Sequence, residues 1–415
     1  MNGTEELKNN RNMSLFAVIA FGLVACLLYG VGAAIRNNIG MLLNPLAGHS
    51  GAAYDQVSLC IAMMNFMFGA SQPVWGVIAS KMSNRRVLGI GLCMLTAGLV
   101  GIMATHSIWT LFFFLGIVFG FGAGAVAFGM ILTSCIHFVG QEHAMTISGM
   151  LNAAAGMVSF VLAPVMQSLL DRAGLAVTLT VLCVLCAALI PVSIFVTSRD
   201  PKSDDRGDVE KSGPDLSLPV QMNGIGLIKH AFANRTYRLL LAGFSTCGFH
   251  MVIIESHLYN QYISYGIPGR AASWAFSFYG VATITGALLS GWLSSRVHKG
   301  HLLGFYYGFR VVWTLFYLFL LPKNILTAFI FSIGLGMTGD ATISPTSGLV
   351  NRDFQLHEVA TLIGFLFLGH QTGAFLSAWL GGILFKATGG YTVIWMIDVA
   401  LCTFASVMSM RIRKE

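Results

Sequence analysis

Residues 199–235 read RDPKSDDRGDVEKSGPDLSLPVQMNGIGLIKHAFANR, the longest polar interruption in the chain. Almost everything on either side is apolar. The segment is also a seam, because the flanking halves match each other at an offset of 215 residues. Gly76 pairs with Gly291, Lys81 with Arg296, Gly124 with Gly339, Gly149 with Gly364 and Gly174 with Gly389. One offset kept through positions this widely spaced points to a duplicated unit.

Of the 415 residues, 55% are hydrophobic and 10% charged. Soluble domains carry about 25% charged residues, so the charges that would coat soluble cores are missing. The net charge of +7 does not indicate nucleic acid, because the basic residues sit in short loops between apolar runs, as in cytoplasmic membrane loops. The eight cysteines all fall inside apolar runs. The C-x-x-C of Cys183 and Cys186 lies mid-run, with no histidine or second pair beside it, and reads as packing.

A membrane-crossing helix needs about 20 mostly apolar residues. That rule predicts twelve spans, near 16–44, 55–79, 87–105, 108–135, 144–170, 175–197, 237–262, 271–294, 301–321, 325–349, 359–385 and 391–411. The expected fold is all-α: two pseudo-symmetric six-helix bundles, 1–198 and 236–415, joined by the linker 199–235. Both termini, the linker and the loops alternating with them hold most of the Lys and Arg. The opposite ends hold only Arg172, Arg270, Lys323 and Lys386. The termini and linker are therefore expected in the cytoplasm, with the chain multi-pass in the inner (plasma) membrane. Gly116, Gly120 and Gly124 recur every four residues in span 4, a face that another helix can approach closely.

The loop at Gly76 reads GVIASKMSNRRVL, and its second-half counterpart reads GWLSSRVHKGHLL. These resemble the G-x-x-x-D-R-x-G-R-R signature loop of the major facilitator superfamily. Gly76, Lys81, Arg85 and Arg86 match in the first copy, and Gly291 and Arg296 in the second. The acidic position is Ser80 and Ser295 instead. In the family that carboxylate helps to latch one conformation, so the latch is in doubt here while the fold is not. The resemblance covers the whole chain.

Within the superfamily the chain looks most like bacterial carriers related to monocarboxylate transporters and oxalate–formate antiporters. Three stretches carry this likeness: GVGAAIRNNIGMLLNPLAG (30–48), CGFHMVIIESHL (247–258) and LGHQTGAFLSAWLGGILF (368–385). Monocarboxylate transporters usually carry an Asp-x-x-x-Arg pair in span 8. Aligned on Gly291, those positions are Thr283 and Ala287 here, so an anion site has to use other residues.

An ionisable group inside a span costs about 2.5–3.5 kcal/mol on insertion scales, and such a cost usually accompanies a role. Arg36 in span 1 carries a planar fork that can hold a carboxylate through two hydrogen bonds, with Asn37 and Asn38 beside it. The competing reading is an Arg that snorkels or pairs with an acid across the bundle. At the 215 offset His250 falls at a similar depth in the other half and is expected to face Arg36.

His250 and His257, seven residues apart, are expected on one helical face of span 7, with Glu255 turned away from both. A carboxyl in a cavity or a histidine can carry a coupling proton. Glu255, Asp340 and His257 are the proton candidates, or else an acid pairs with Arg36 or Arg310 to hold a gate. Arg310 in span 9 is read as substrate contact or as an ion pair with Asp340 or Glu255. His370, mid-span 11, is read as a cavity residue or as packing, and Asp398 in span 12 as structural. His-x6-His lacks the i, i+4 spacing of a helical metal pair, so no metal is expected.

No Ser/His/Asp arrangement, P-loop or zinc spacing appears, so an enzyme and a cofactor are not expected. The expectation is a secondary carrier, working as a monomer in the lipid bilayer, for a small organic anion such as a monocarboxylate, moved with a proton. The alternatives are efflux of drugs or cationic metabolites by proton antiport, and a non-transporting membrane sensor on the same fold.

Overall fold

A computed structural model describes residues 15–104, 106–140, 143–199 and 224–412. Most of the linker, 200–223, lies outside the described residues. Among the described residues all regular structure is helical. Eleven continuous stretches are long and apolar enough to cross a membrane. One of them, Ala144–Val196, runs for 53 residues. At 1.5 Å per residue it would be about 80 Å long, against a hydrocarbon core of about 30 Å. It is two crossings, joined where Gly174 leaves helical geometry at φ 77°, ψ −177°, a conformation that glycine adopts at no steric cost.

The twelve spans are α1 (Phe16–Ser50), α2 (Tyr54–Lys81), α3 (Asn84–Ala104), α4 (Ile108–Val139), α5 (144–173), α6 (175–196), α7 (Arg235–Ser264), α8 (Gly269–Ser294), α9 (Lys299–Leu320), α10 (Ile325–Asp353), α11 (Leu356–Thr388) and α12 (Thr392–Met410). They form two bundles of six, α1–α6 and α7–α12.

The first bundle packs one continuous apolar core around Leu28, Leu92, Leu115, Phe119 and Leu182. The second has two larger cores and smaller clusters beside them. One lies toward the end away from the termini, around Tyr262, Tyr317, Phe331 and Trp395. The other lies toward the terminal end, around Tyr237, Leu303, Leu349 and Leu366.

Polar residues stand between these two cores along α7, α9, α10 and α12, and the reason is a break in α10. Its first helix ends at Gly336 and a 3-10 turn occupies Asp340–Thr342 before the second helix begins at Ile343. The break frees carbonyls that lipid cannot satisfy. Arg310, 1% exposed, supplies the missing donors. Its Nη2 donates to the carbonyls of Thr338 and Gly339 (3.0 Å to the latter), and its Nε to the Thr338 hydroxyl at 3.3 Å.

Arg310 thus serves backbone carbonyls, not the ion pair with Asp340 or Glu255 expected from sequence. In the same layer His250 Nδ1 and Asp398 Oδ2 are 2.7 Å apart, with side chains 0% and 1% exposed. The Cys402 thiol donates toward Asp398 at 3.7 Å. The ligand-bearing atoms of His250, Asp398 and Cys402 lie within 4.8 Å of one another. The 2.7 Å His–Asp contact is a direct hydrogen bond, shorter than the ~3.3 Å between donors spread tetrahedrally about a zinc ion.

The two bundles touch along α2·α11 and α5·α8. The close crossing contacts run from the middle of these helices to the ends far from the termini. A side chain at Gly156 would strike the Gly280 carbonyl at 2.6 Å, one at Gly69 the side chain of Gln371, and one at Gly382 the side chain of Ser58. Phe66 meets Phe375, and Phe160 meets Trp274 and Phe278.

Polar contacts close the same end. Lys386 Nζ lies 3.0 Å from Asp55 Oδ1. Asn260 Nδ2 donates to the Gly40 carbonyl at 2.8 Å, the Asn44 amide donates to Asn260 at 3.1 Å, and the Tyr259 hydroxyl donates to Gln167. At the terminal end Gly76, Gly149, Gly291 and Gly364 look onto open space. The space between the bundles is therefore closed at the far end and widens toward the termini.

Two measurements follow. On a background without native cysteines, Asp55→Cys with Lys386→Cys should bridge readily with a short crosslinker, whereas Gly149→Cys with Gly291→Cys should label singly. Replacing Arg310 by Met strands the α10 carbonyls, at about 1–3 kcal/mol for each lost partner. The detergent-solubilised variant should melt at a clearly lower temperature, with Arg310→Lys in between.

Candidate functional site: a charged cavity between the bundles

The cavity is built on departures from the regular helix. In α7 the stretch Ile254–Leu258 is π-helical, a form found mostly as single-turn bulges and frequent at functional sites. The wider turn breaks the two-turn register that would align His250 with His257. His250 is turned into the second bundle against Asp398, not across the midline toward Arg36. His257 is turned into the far-end seam, 1% exposed. There its Nε2 donates to the Ala378 carbonyl at 3.0 Å, so Nδ1 accepts from the Tyr54 hydroxyl at 3.1 Å. Tyr54 is in turn 2.8 Å from the Tyr391 hydroxyl. Both ring nitrogens of His257 are engaged in the seam that joins the two bundles. Glu255, between the histidines, faces α1.

Arg36 occupies the facing wall. Its Nη1 donates to Asn65 Oδ1 at 2.8 Å, and its Nη2 to Asn37 Oδ1 at 2.5 Å. The guanidinium carbon lies 4.3 Å from the centre of the Phe68 ring, a cation–π arrangement. Glu255 Oε2 is 3.7 Å from Nη1, with side chains 14% exposed for Arg36 and 11% for Glu255. Nε of Arg36 is buried and has no protein partner. Asn38 turns back to the Ala34 carbonyl and offers the cavity nothing. Tyr29, Gly32, Phe68 and Val126 join Arg36 in lining a narrow recess of about 20 Å³ in the first bundle.

Two of the residues that hold Arg36, Asn65 and Phe68 on α2, escape the sequence reading. A lone Asn in the apolar run MMNFMF was the available signal.

The second bundle brings acids. Asp340, at the α10 break, makes no hydrogen bond or ion pair with the described residues. Its field comes from His370, Arg310 and Arg36. Glu255 feels Arg36, Asp340 and His370. His370 packs on Phe244 with ring centres 5.0 Å apart, and its Nδ1 is buried without a partner. Tyr279, 6% exposed, has an unpartnered hydroxyl beside Gly339, within the fields of Glu255 and Asp340.

Of the candidate site residues, the structure joins Arg36, Asn37 and Glu255 directly. Asp340 and His370 lie within the fields of Arg310 and Arg36, and His250 and His257 are turned elsewhere. Arg36 comes from the first bundle, and the two carboxyls of Glu255 and Asp340 from the second.

The signature-loop residues lie at the terminal end. Lys81, Arg85 and Arg86 are exposed, and Arg296 stacks on Trp292 at 4.1 Å. Ser80 and Ser295, at the acidic position, donate only to their own helices, to the carbonyls of Val77 and Trp292. Neither makes a latch to another helix.

Comparison with known proteins agrees with this architecture. The Major Facilitator Superfamily model matches residues 24–346 and again 259–415. An uncharacterised MFS-type transporter of Bacillus subtilis, YcxA, is 23% identical over 400 residues, covering 94% of each chain. Monocarboxylate transporter 12 of Rattus norvegicus is 23% identical over 389 residues, covering 86% of this chain and 76% of its own. Monocarboxylate transporter 11 of Mus musculus is also 23% identical, over 64% of this chain and 57% of its own. Among solved structures, a point mutant of the nucleoside transporter NupG superposes with a TM-score of 0.76 at 14% identity, covering 95% of this chain and all of that one. With family matches running almost from end to end, the chain belongs to the Major Facilitator Superfamily, a family of membrane transporters and not of enzymes.

Proposed function

We propose that this transporter is a secondary carrier that moves a small monocarboxylate together with a proton by alternating access. Residues 1–198 and 236–415 rock about the central cavity, with 199–235 as the joint. In this reading the termini are cytoplasmic, the membrane is the inner (plasma) membrane, and the monomer is the working unit. The closed far end then makes the described state inward-facing.

The observation that carries the reading is Arg36: a desolvated guanidinium, oriented by Asn65 and Asn37, whose Nε has no protein partner. A carboxylate entering the cavity loses water and needs a charge-assisted partner, and the fork of Arg36 offers one. The likeness to monocarboxylate transporters 11 and 12 supports the same substrate class.

Coupling follows from competition. Glu255 sits 3.7 Å from the same guanidinium. A substrate carboxylate that takes Arg36 removes the counter-charge of Glu255. A desolvated carboxylate without a partner is costly and is neutralised by a proton. The anion and the proton then enter together, and neither alone leaves the cavity balanced.

Arg36→Ala should abolish monocarboxylate binding, since truncating one side of a desolvated charged pair costs about 2–5 kcal/mol. Arg36→Lys should weaken it by losing the fork while keeping the charge. In proteoliposomes, wild-type uptake of labelled lactate or pyruvate should rise as external pH falls and collapse with a protonophore. Near-normal binding by folded Arg36→Ala protein would overturn the anion reading. Binding of organic cations alone would favour the efflux alternative, with Glu255 and Asp340 as cation binders.

A further inference from the structure

We propose that the break in α4 is the second part of the anion seat. A substrate carboxylate held by Arg36 places one oxygen in the recess beside it, on the free backbone N–H groups where α4 starts again at Phe128. The proposal rests on the anion reading above and extends it to residues of a second helix.

α4 is interrupted much as α10 is. One helix ends at Ala125, and the next, 12 residues long, runs Phe128–Val139. In α10 the second helix begins at Ile343, which is Phe128 carried forward by the 215-residue offset of the two halves. A carbonyl freed in α4 finds protein partners: that of Phe121 accepts from the Trp75 indole at 2.8 Å and from the Ser71 hydroxyl at 3.3 Å. The freed N–H groups do not. Those of Ala127, Phe128 and Gly129 have no hydrogen-bond partner among the described residues, and Gly129 is exposed onto open space. A helix start carries about half a positive charge and favours anions.

Two differences from the second bundle leave this start open to a ligand. In α10 an acid, Asp340, stands in the turn just before the second helix. Residues 120–127 of α4 read GFGAGAVA, with no acid. The offset also sets Leu95 at the place of Arg310, whose guanidinium fills the α10 break. The shorter side chain leaves the recess of about 20 Å³, lined by Leu95, Val126 and Ala127 together with Gly32 and Arg36. A water-sized group needs ~10–15 Å³, so the recess has room for one oxygen.

α1 and α4 are close enough to share it. Gly32 lies one turn before Arg36, and a Cβ there would be 3.8 Å from Val126 Cγ1. The buried Nε of Arg36 has no partner, so the wall formed by Arg36 supplies a free donor opposite the α4 N–H groups. Glu255 reaches Arg36 from the other bundle at 3.7 Å, longer than a direct charge-assisted hydrogen bond. A ligand that gains the α4 donors as well displaces it.

Phe128→Pro deletes one of these N–H groups. Proline is tolerated at the first helical position, and Ala127, at φ −71° and ψ 161°, already has the conformation that precedes it. Phe128→Ala controls for the ring, which meets Tyr29 edge-on at 5.8 Å. Val126→Asp puts a carboxylate of the chain itself into the recess, with Val126→Asn as its neutral control. Binding of butyrate and lactate to each purified variant is followed by tryptophan fluorescence and thermal shift. Phe128→Pro should bind about ten-fold more weakly than Phe128→Ala. Val126→Asp should not bind, while Val126→Asn does. Equal binding by the two Phe128 variants, or by folded Val126→Asp and Val126→Asn, overturns this inference, and the anion reading stands if Arg36→Ala still abolishes binding. Should Val126→Asp fail to fold, the Phe128 pair decides. Near-normal binding by folded Arg36→Ala overturns the anion reading and this inference with it.

Discussion

Arg36 is the point on which the cavity turns. It is a permanent cation placed where lipid and protein offer little water, so it has to be held and it has to be balanced. Asn65 and Asn37 hold it, Phe68 covers its face, and Glu255 of the opposite bundle balances it across 3.7 Å. The approach is possible because Gly40 carries no side chain. A Cβ there would strike the Glu255 carbonyl oxygen. One ion pair and one glycine thus tie α1 to the π-helical stretch of α7, and the two halves of the molecule meet at the site itself.

A second buried cation shows how different a role the same residue type can have. Arg310 is more deeply buried than Arg36, yet its donors serve the carbonyls freed by the α10 break. It stabilises an irregular backbone so that Asp340 can stand in the cavity without an ion pair among the described residues. The break, the Arg310 clasp and the free carboxyl are one device. Discontinuous spans are recurrent at transporter binding sites for this reason: irregular backbone is tolerated only where its polar groups find partners or line a cavity.

The architecture was readable from sequence because it depends on composition and length. Apolar runs, the 215-residue offset and the charged seam locate the spans, and even the Gly174 turn was implied by the split between 170 and 175. The site was read less well. Arg36 and Glu255 stand out as charges in apolar runs, and the idea that an acid pairs with Arg36 describes the observed contact. The pairing of His250 with His257 on one face assumed 3.6 residues per turn, and the π-helical stretch between them breaks that assumption without leaving a composition signal. Sequence reads Arg310 as a substrate contact or a carboxylate partner because side-chain charges are visible in a sequence, whereas carbonyls freed by a helix break are not. The Asp398 partner of His250 lies 148 residues away, a distance at which periodicity says nothing.

The account comes down to whether substrate and Glu255 compete for one guanidinium. The direct measurement is proton uptake on binding, followed with an indicator dye in weakly buffered detergent solution as lactate or butyrate is added to saturation. The account predicts about one proton taken up per monocarboxylate bound by the wild-type protein, and none by Glu255→Gln. Saturable binding of these ligands to the wild-type protein with no proton uptake would contradict it.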